Sequence, residues 1–251
     1  MKIVFLGSGN VATHLAEALH AAGHRIIQVF SPAEENAVLL ADKVGAEAVS
    51  SLQHLNTGAD LYLFCVKDDA LQEVILRMPQ TTGTWAHTAG SLPMTLFSTR
   101  KEEYGVIYPL QTFSKTRRLN FSEIPLFIEG STPATVLLLE DMARSISREV
   151  HQLPGEKRSY LHLAAVFACN FVNHMYTLSS EILLNEEIPF AMLRPLITET
   201  AAKVTEMTPR EAQTGPAVRN DEQVMRNHLE LLSHAEMKEL YTLISRSIQS
   251  R

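Results

Sequence analysis

The chemistry suggested by this sequence starts with a glycine-rich segment near its beginning. Residues 5–12 read Phe-Leu-Gly-Ser-Gly-Asn-Val-Ala and have the spacing G-x-G-x-x-A, which is typical of loops that bind the pyrophosphate of a dinucleotide. Gly7 permits a tight turn, Gly9 lets the backbone approach a phosphate, and Ala12 permits close packing of a helix on a strand. A turn without a ligand is the alternative, but it would not require small residues at these offsets. The residues predicted to bind the cofactor are Gly7, Ser8, Gly9, Asn10, Val11 and Ala12.

The residue at the end of the second predicted strand bears on the choice between NAD and NADP. Enzymes that use NAD commonly place Asp or Glu there, about 20 residues beyond the glycines, to bind the ribose 2'-hydroxyl. This chain has Ser31 at that position, which leaves room for the 2'-phosphate of NADP. Ser31 also begins Ser-Pro-Ala-Glu, a sequence typical of a helix N-cap, and both roles are compatible. No Arg follows it, and Glu34 and Glu35 would repel a phosphate, so the residues favour NADP without excluding NAD.

Two further loops are predicted to border the same cofactor. The predicted strands at residues 61–66 and 84–88 each end in a polar loop, and ligands of open parallel sheets bind beyond the carboxyl ends of the strands. Helix capping is the alternative role for Asp69, and a structural hydrogen bond is the alternative for His87. The residues predicted to border the cofactor here are Val66, Lys67, Asp69 and His87.

A second group of polar residues falls on a long helix predicted from Ser159 to Leu184. On this helix, His162, Asn170 and Asn173 share one stripe if the helix has 3.6 residues per turn, and the neighbouring side chains are small and apolar. The functional interpretation is a substrate site in which His162 moves a proton, Asn170 orients the substrate and Asn173 contacts it. A buried hydrogen-bonding network is the structural alternative.

Arg219 lies in a Gly-Pro loop at residues 213–221 and is the remaining candidate for substrate binding. It would act there as a clamp for an anionic group. A tight turn between helices, tied by Arg219 and followed by Asp221 as a helix N-cap, explains the same residues equally well.

The elements that must position these residues follow from the hydrophobic pattern. Residues 1–153 alternate β-type runs with helical stretches, which predicts an α/β fold with a doubly wound, mostly parallel Rossmann-like sheet. After residue 153 the β pattern stops, so residues 154–251 are predicted to form an all-helical domain that binds substrate. The predicted strands are Lys2 to Leu6, Arg25 to Phe30, Leu61 to Val66, Thr84 to Thr88, Gly105 to Ile107, Leu126 to Ile128 and Val150 to Gln152.

Composition and charge argue against several other classes of protein. A chain of 251 residues with 45% hydrophobic and 20% charged residues is typical of globular proteins rather than disordered ones. Its formal net charge of -6 offers no basic region to nucleic acid or anionic lipid. The chain starts with a strand-like run rather than a leader, and Cys65 and Cys169 lie in apolar runs, so we expect a reducing cytoplasm. We predict neither a membrane helix, which needs about 18 apolar residues in a row, nor a metal site.

Five segments of the chain together form a recognisable pattern. They are the glycine loop at residues 7–12, residues 87–91, Pro-Leu-Gln-Thr-Phe at residues 109–113, Tyr160-x-His162-x-Ala164-Ala165 with Asn170, and Thr214-Gly215-Pro216 with Arg219, Asp221 and His228. The pattern covers essentially the whole chain and resembles Rossmann-like proteins with a helical C-terminal domain of unknown function, commonly assigned as NADP oxidoreductases. The chain is more distantly similar to pyrroline-5-carboxylate reductase, the deazaflavin-dependent NADP reductases and the 6-phosphogluconate dehydrogenase superfamily.

This resemblance implies hydride transfer between NADP and a small carbonyl or imine substrate. Two departures leave the proton donor open: the Lys-x-x-x-Asn pair of the β-hydroxyacid dehydrogenases is missing, since Val166 precedes Asn170 at that offset, and Tyr108 stands where the family pattern has His. Two alternatives also remain open. One is a regulator that binds NADP without turnover, and the other is an imine reductase resembling pyrroline-5-carboxylate reductase.

The helical domain is also predicted to form a homodimer. It carries many large apolar side chains, and a unit of about 100 residues leaves a large share of its apolar surface uncovered. A two-fold contact between identical surfaces is the commonest way to bury the excess, and the family resemblance implies the same assembly. A monomer whose helices pack wholly against the sheet domain is the alternative.

Overall fold

A computed structural model describes residues 1–250 and divides the chain into two compact units. The sheet unit comprises Met1–Asn170, and the helical unit begins at Phe171. The sequence placed this boundary after residue 153, where the β pattern ends. The difference arises because a helix that follows the last strand stays packed on the sheet unit through the buried side chain of Arg158. The end of the β pattern therefore marks the end of the sheet rather than the end of the unit.

The sheet unit is built on one sheet of eight strands in the order β3-β2-β1-β4-β5-β6-β7-β8. Neighbouring strands are parallel except β6 and β7, which are antiparallel. The predicted doubly wound, mostly parallel Rossmann-like sheet is thus confirmed, and the sequence missed only the short β3. The strands are β1 (Lys2–Leu6), β2 (Arg25–Phe30), β3 (Glu47–Val49), β4 (Leu61–Phe64), β5 (Thr84–His87), β6 (Tyr104–Pro109), β7 (Leu126–Gly130) and β8 (Val150–Gln152).

Alternating side chains of the central strands build a hydrophobic core on each face of the sheet. In β1, Ile3 and Phe5 belong to one core, and Val4 and Leu6 belong to the other, as the two-residue period of a strand requires. A sheet that is covered on both faces needs helices on both sides. The helices of this unit are α1 (Asn10–Ala21), α2 (Glu34–Val44), α3 (Asp68–Arg77), α4 (Pro133–Arg144) and α5 (Gly155–Ala165).

The order of the strands determines where a ligand can bind. Strands β1, β2, β4, β5 and β6 are parallel to one another, so their carboxyl ends share one edge of the sheet. We call this edge the carboxyl edge. The direction of strand addition reverses between β1 and β4, and this switch point is where open α/β sheets bind their ligands.

The long helix predicted from Ser159 to Leu184 is present, but it is not regular. Helix α5 continues through a π-helical stretch at Val166–Phe171 into α6, so helical backbone runs from Gly155 to Asn185. A π turn bonds residue i to i+5 and contains more than 3.6 residues. Residues after it are therefore rotated relative to those before it, and the predicted stripe from His162 to Asn173 is interrupted.

The helical unit contains α-helices throughout, and no strand occurs between residues 171 and 250. Its helices are amphipathic, but among residues 171–250 only Ala217 is buried. Across residues 1–250, none of the helices combines the length and the apolar character that a membrane span requires. The helices of this unit are α6 (Val172–Asn185), α7 (Arg194–Glu206), α8 (Pro209–Ala212), α9 (Glu222–Leu231) and α10 (Ala235–Gln249).

Candidate active site

The turn between β1 and α1 requires glycine at its first position. Gly7 has a φ of +112°, a region that L side chains rarely adopt, and a Cβ there would collide with the carbonyl oxygen of Cys65. The Gly7 N–H donates to the carbonyl of Phe30 at 2.7 Å. The turn is thus fixed between the ends of β2 and β4, which places the start of α1 at the switch point.

Neither the backbone conformation nor a neighbouring atom requires glycine at the second glycine of this turn. Gly9 has an extended backbone (φ -73°, ψ -170°), and a Cβ there would meet nothing within 4 Å. It is the N-cap of α1 and supplies no side chain to the first-turn N–H groups, which lack partners within the helix. The first-turn N–H groups therefore have no side-chain cap and lie at the positive end of the helix dipole, an arrangement that fits the pyrophosphate of a dinucleotide.

The segment after β6 reaches the same helix terminus. The side-chain amide of Asn10 donates to the carbonyl of Phe113 at 2.9 Å, and Nε2 of His14 lies 2.9 Å from the carbonyl of Ser114. These contacts place residues 113–114 beside the start of α1. In the sequence this segment contributed only to the family pattern, and its structural role was not predicted.

The structure contradicts two predicted capping roles near the carboxyl edge. The N-cap of α2 is Ala33 rather than Ser31, and the N-cap of α3 is Lys67, so Asp69 lies inside the first helical turn; neither helix has a side-chain cap. Both predictions used residue spacing, whereas the cap depends on where the backbone leaves the strand. Ser31 is buried at the end of β2, where its N–H donates to the carbonyl of Val49 at 3.1 Å.

The loops after β4 and β5 lie at the predicted edge, although their side chains differ in access. Val66 is half-buried, and Lys67 and Asp69 are exposed. His87 is fully buried, and its Nδ1 accepts a hydrogen bond from the Ala89 N–H at 3.1 Å. The pKa of His87 is lowered to about 4, mainly by burial and also by the positive charge of Arg158, with the Pro93 carbonyl opposing the shift. Because the His87 side chain is buried, a contact between the loop after β5 and a cofactor would come from the backbone of that loop.

A pair of titratable side chains lies at the carboxyl edge. The Oη atom of Tyr108, near the end of β6, lies 2.9 Å from Nδ1 of His162 on α5. Tyr108 is buried, whereas His162 is only partly so. Burial raises the pKa of the Tyr108 phenol; Arg158 lowers it in part, and Cys169 raises it. The phenol therefore keeps its proton near neutral pH, and the imidazole is accessible to a small molecule.

Arg158 anchors the helix that carries His162. Its side chain is 1% exposed and donates at 2.6 Å both to the Glu129 carboxylate and to the carbonyl of Leu92. Glu129 also accepts from the Gly155 N–H at 3.0 Å, which ties the start of α5 to β7. Sequence reasoning missed this anchor, because a single Arg at the start of a helix has the same pattern as an ordinary surface Arg.

The other predicted substrate residues do not join this pair in the sheet unit. Asn170 is exposed in the π-helical stretch. Asn173 belongs to the helical unit, where it lines a cavity of about 330 Å³ together with Tyr176. Arg219, also in the helical unit, pairs with Asp221 at 2.7 Å. Asp221 is the N-cap residue of α9, as predicted, but its side chain makes no capping hydrogen bond. Their assignment to a substrate site stays a prediction.

Two family models match the chain. The model described as "NADP oxidoreductase coenzyme F420-dependent" matches residues 2–85, and a domain of unknown function matches residues 124–248. A search of curated proteins found no significant match.

Solved structures similar to this chain include one of high sequence identity and others of low identity. A protein from Bacteroides fragilis assigned as an NADP oxidoreductase is 47% identical, with a TM-score of 0.94, and the match covers 100% of this chain and 98% of that one. A reductive aminase from Aspergillus terreus in complex with NADPH is 17% identical (TM-score 0.75; 99% and 94% covered). The pyrroline-5-carboxylate reductase of Streptococcus pyogenes is 14% identical (TM-score 0.65; 100% and 99% covered). The last two matches show a common fold.

Proposed function

Because this chain belongs to the NADP oxidoreductase family of its Bacteroides fragilis relative, we propose that it transfers a hydride between NADP(H) and the carbon of a small carbonyl or imine substrate. One observation carries the proposal. The carboxyl edge brings together an uncovered helix N-terminus at Gly9 and a titratable pair, Tyr108 and His162. The first feature suits a dinucleotide, and the second suits the proton that such a reduction consumes.

The binding of NADP would use the residues around the switch point. The N–H groups after Gly9 would hold the pyrophosphate, and the loop at residues 66–69 would line the crevice beside it. Ser31, at the end of β2, occupies the position that would otherwise carry the acid selective for NAD. Bound NADPH supplies the hydride, and this chain supplies the orientation and a group that moves a proton.

His162 is the group that would move the proton. Its Nδ1 atom is engaged with Tyr108, which leaves Nε2 to face the substrate. Reduction of a C=O or C=N bond adds one hydride to carbon and one proton to the heteroatom, so an imidazolium Nε2–H can deliver the proton at the point where negative charge develops. In this proposal Asn170 orients the substrate, and Asn173 and Arg219 contact it.

The test is turnover of NADPH with simple probes. We would follow the loss of NADPH absorbance with cyclohexanone alone, with cyclohexanone plus allylamine, which form an imine in solution, and with a wider set of ketones and cyclic imines. His162→Ala should lower turnover about 10²- to 10⁴-fold while NADPH affinity and Tm stay near wild type. His20→Ala, which changes an exposed His of α1, is the matched control.

The outcomes of this test separate the alternatives. Turnover that requires the amine would identify an imine reductase. Tight NADPH binding without turnover of any probe would favour a regulator. A large fall in Tm for His162→Ala, with unchanged turnover per folded molecule, would assign His162 to a structural network instead.

We also propose that the protein is a homodimer formed mainly by the helical unit. Leu184, Leu231 and Leu243 are largely exposed, and monomeric proteins rarely leave large contiguous apolar surfaces uncovered. Light scattering coupled to size-exclusion chromatography should give twice the 28.0 kDa mass of the chain. A monomer mass that persists at micromolar and higher concentrations, with and without NADPH, would contradict the dimer.

A further inference from the structure

Two residues that the sequence did not assign to the site fix the position of the His162 imidazole. The first is Tyr108, whose Oη atom lies 2.9 Å from Nδ1. The two rings meet edge to face, with centroids 5.8 Å apart and an interplanar angle of 76°. Since Tyr108 is 8% exposed and lies on a strand of the sheet, its phenol is held in a fixed position beside the imidazole.

The second residue is Gly90, in the loop after β5. A Cβ on Gly90 would lie 2.6 Å from Nδ1 and 2.7 Å from Cγ of His162, closer than real Cβ contacts. Gly90 is not among the glycines with positive φ, so its backbone conformation does not explain the residue type. The imidazole of His162 does, because the ring rests directly on the Gly90 backbone.

The helix that carries His162 cannot shift to relieve such a contact. Arg158 lies four residues earlier on α5, on the same side of the helix, and its buried guanidinium is held by Glu129 and by the carbonyl of Leu92. Leu92 belongs to the same loop as Gly90. The loop, β6 and β7 therefore hold α5 from three directions, and the imidazole sits between the Tyr108 phenol and the Gly90 backbone.

We propose that Tyr108 and Gly90 are positioning residues for proton transfer at His162, an inference that rests on the proposed function. A phenol both donates and accepts hydrogen bonds. It can accept from Nδ1–H of the imidazolium and can donate to a bare Nδ1 of the neutral ring. The phenol thus holds the ring in either protonation state, while Nε2 stays directed toward the substrate. The partner of one ring nitrogen sets the role of the other.

The first test uses the ligand-free protein and needs no substrate. The ¹⁵N signals of the His162 ring report which nitrogen carries the proton, and His162→Gln identifies these signals among the 10 histidines of the chain. Tyr108→Phe keeps the ring and removes the hydroxyl, so the ratio of the two neutral tautomers of His162 should change about 2- to 10-fold, the net worth of one hydrogen bond. Tyr104→Phe, on the same strand, is the matched control and should leave the ratio unchanged.

The second test uses the steric contact. Gly90→Ala places a methyl group against the imidazole and should shift the His162 signals, whereas Gly58→Ala, where a Cβ meets nothing closer than 3.7 Å, should not. With the probe that gives turnover, Tyr108→Phe and Gly90→Ala should lower kcat at least 10-fold and leave KM and the Kd for NADPH within about twofold. If Gly90→Ala does not fold, Tyr108→Phe decides the question.

Two results would overturn the proposal. Unchanged His162 signals in Tyr108→Phe would show that the phenol does not set the state of the ring. Shifted signals with wild-type kcat would show that the position of the ring does not matter for the reaction. Failure of the proposed function would be seen elsewhere, as absent NADPH binding or as wild-type turnover in His162→Ala.

Discussion

The sheet unit and the helical unit differ in how completely each buries its own apolar side chains. Large side chains of the sheet unit, such as Trp85 and Tyr62, have at most 1% of their surface exposed. In the described part of the helical unit, Leu184, Leu231 and Leu243 expose 75%, 83% and 66% of theirs. The sheet unit can therefore hold a rigid binding edge without help. The helical unit leaves large apolar side chains exposed, which is the observation behind the proposed homodimer.

The largest loss of stability is expected when a substitution leaves a cavity in the core of the sheet unit. Phe97 is fully buried, and its ring lies 4.9 Å from that of Phe64 and 5.8 Å from that of Trp85. Phe97→Ala should lower the free energy of unfolding by about 3 to 5 kcal/mol, measured by urea denaturation. Leu39→Ala, at an exposed site on α2, is the control and should change it by less than about 0.5 kcal/mol. Similar losses in both variants would remove the contrast between core and surface.

The second-largest loss of stability is expected when the ion pair between Arg158 and Glu129, which anchors α5, is broken. Arg158→Met keeps an apolar stem but leaves the Glu129 carboxylate, which is 20% exposed, without its partner at 2.6 Å. The expected loss is about 3 kcal/mol, at the lower end for a broken buried pair, because Glu129 retains some contact with water. Arg77→Met removes an exposed ion pair with Glu73 and should have no measurable effect. Equal stabilities of the two variants would show that α5 does not depend on this pair.

A smaller effect should appear as a dependence of stability on pH. The pKa of His87 falls from 6.5 in the unfolded chain to about 4 in the folded protein, mainly because of burial. Between these values the unfolded chain binds more protons than the folded protein. The contribution of His87 to the free energy of unfolding is therefore fully present above pH 6.5 and is lost as the pH falls toward 4. The loss should amount to about 2 to 3 kcal/mol. His87→Asn should remove this part of the pH dependence in thermal melts, and the exposed-site control His20→Asn should retain it.

The smallest effect is expected on the surface of the helical unit. Leu231→Ala, measured at a dilution where the protein is monomeric, should change the free energy of unfolding by less than about 0.5 kcal/mol, since Leu231 is 83% exposed. A larger cost at higher protein concentration would support the proposed dimer, because it would indicate that a second copy covers this residue. A loss above about 2 kcal/mol in the monomer would mean that the helical unit buries Leu231 itself, which would abolish the contrast.

Local patterns in the sequence predicted most of the fold. The glycine turn, the alternating strands and the helical half each depend on residues close together in the chain. The π-helical stretch was missed because nothing in the spacing of Val166–Phe171 distinguishes it from a regular helix. The roles of Ser31 and Asp69 as caps were wrong because caps depend on the geometry of the preceding strand.

The candidate site was only partly predictable for a different reason. His162 was predicted as a site residue from its polar character on an otherwise apolar helix, but its partner Tyr108 lies 54 residues away. Arg158 and Glu129 are separated by 29 residues. Contacts over such distances are determined by the order of strands in the sheet, which a single sequence does not reveal. Glycine is required at position 90 because the His162 imidazole packs against it, and the sequence does not show this contact.

The central claim is that the uncovered helix N-terminus at Gly9 binds NADP, and a fluorescence titration with NADPH tests it most directly. Gly9→Val places a side chain in the open space beyond the helix and should weaken binding at least about 10-fold, a cost of about 1.4 kcal/mol in binding free energy. Gly58→Val, at a glycine without positive φ where a Cβ would meet only Asn56 Oδ1, at 3.7 Å, should bind NADPH as wild type does. NADH should bind the wild type more weakly than NADPH. Wild-type affinity for NADPH in Gly9→Val would contradict the account.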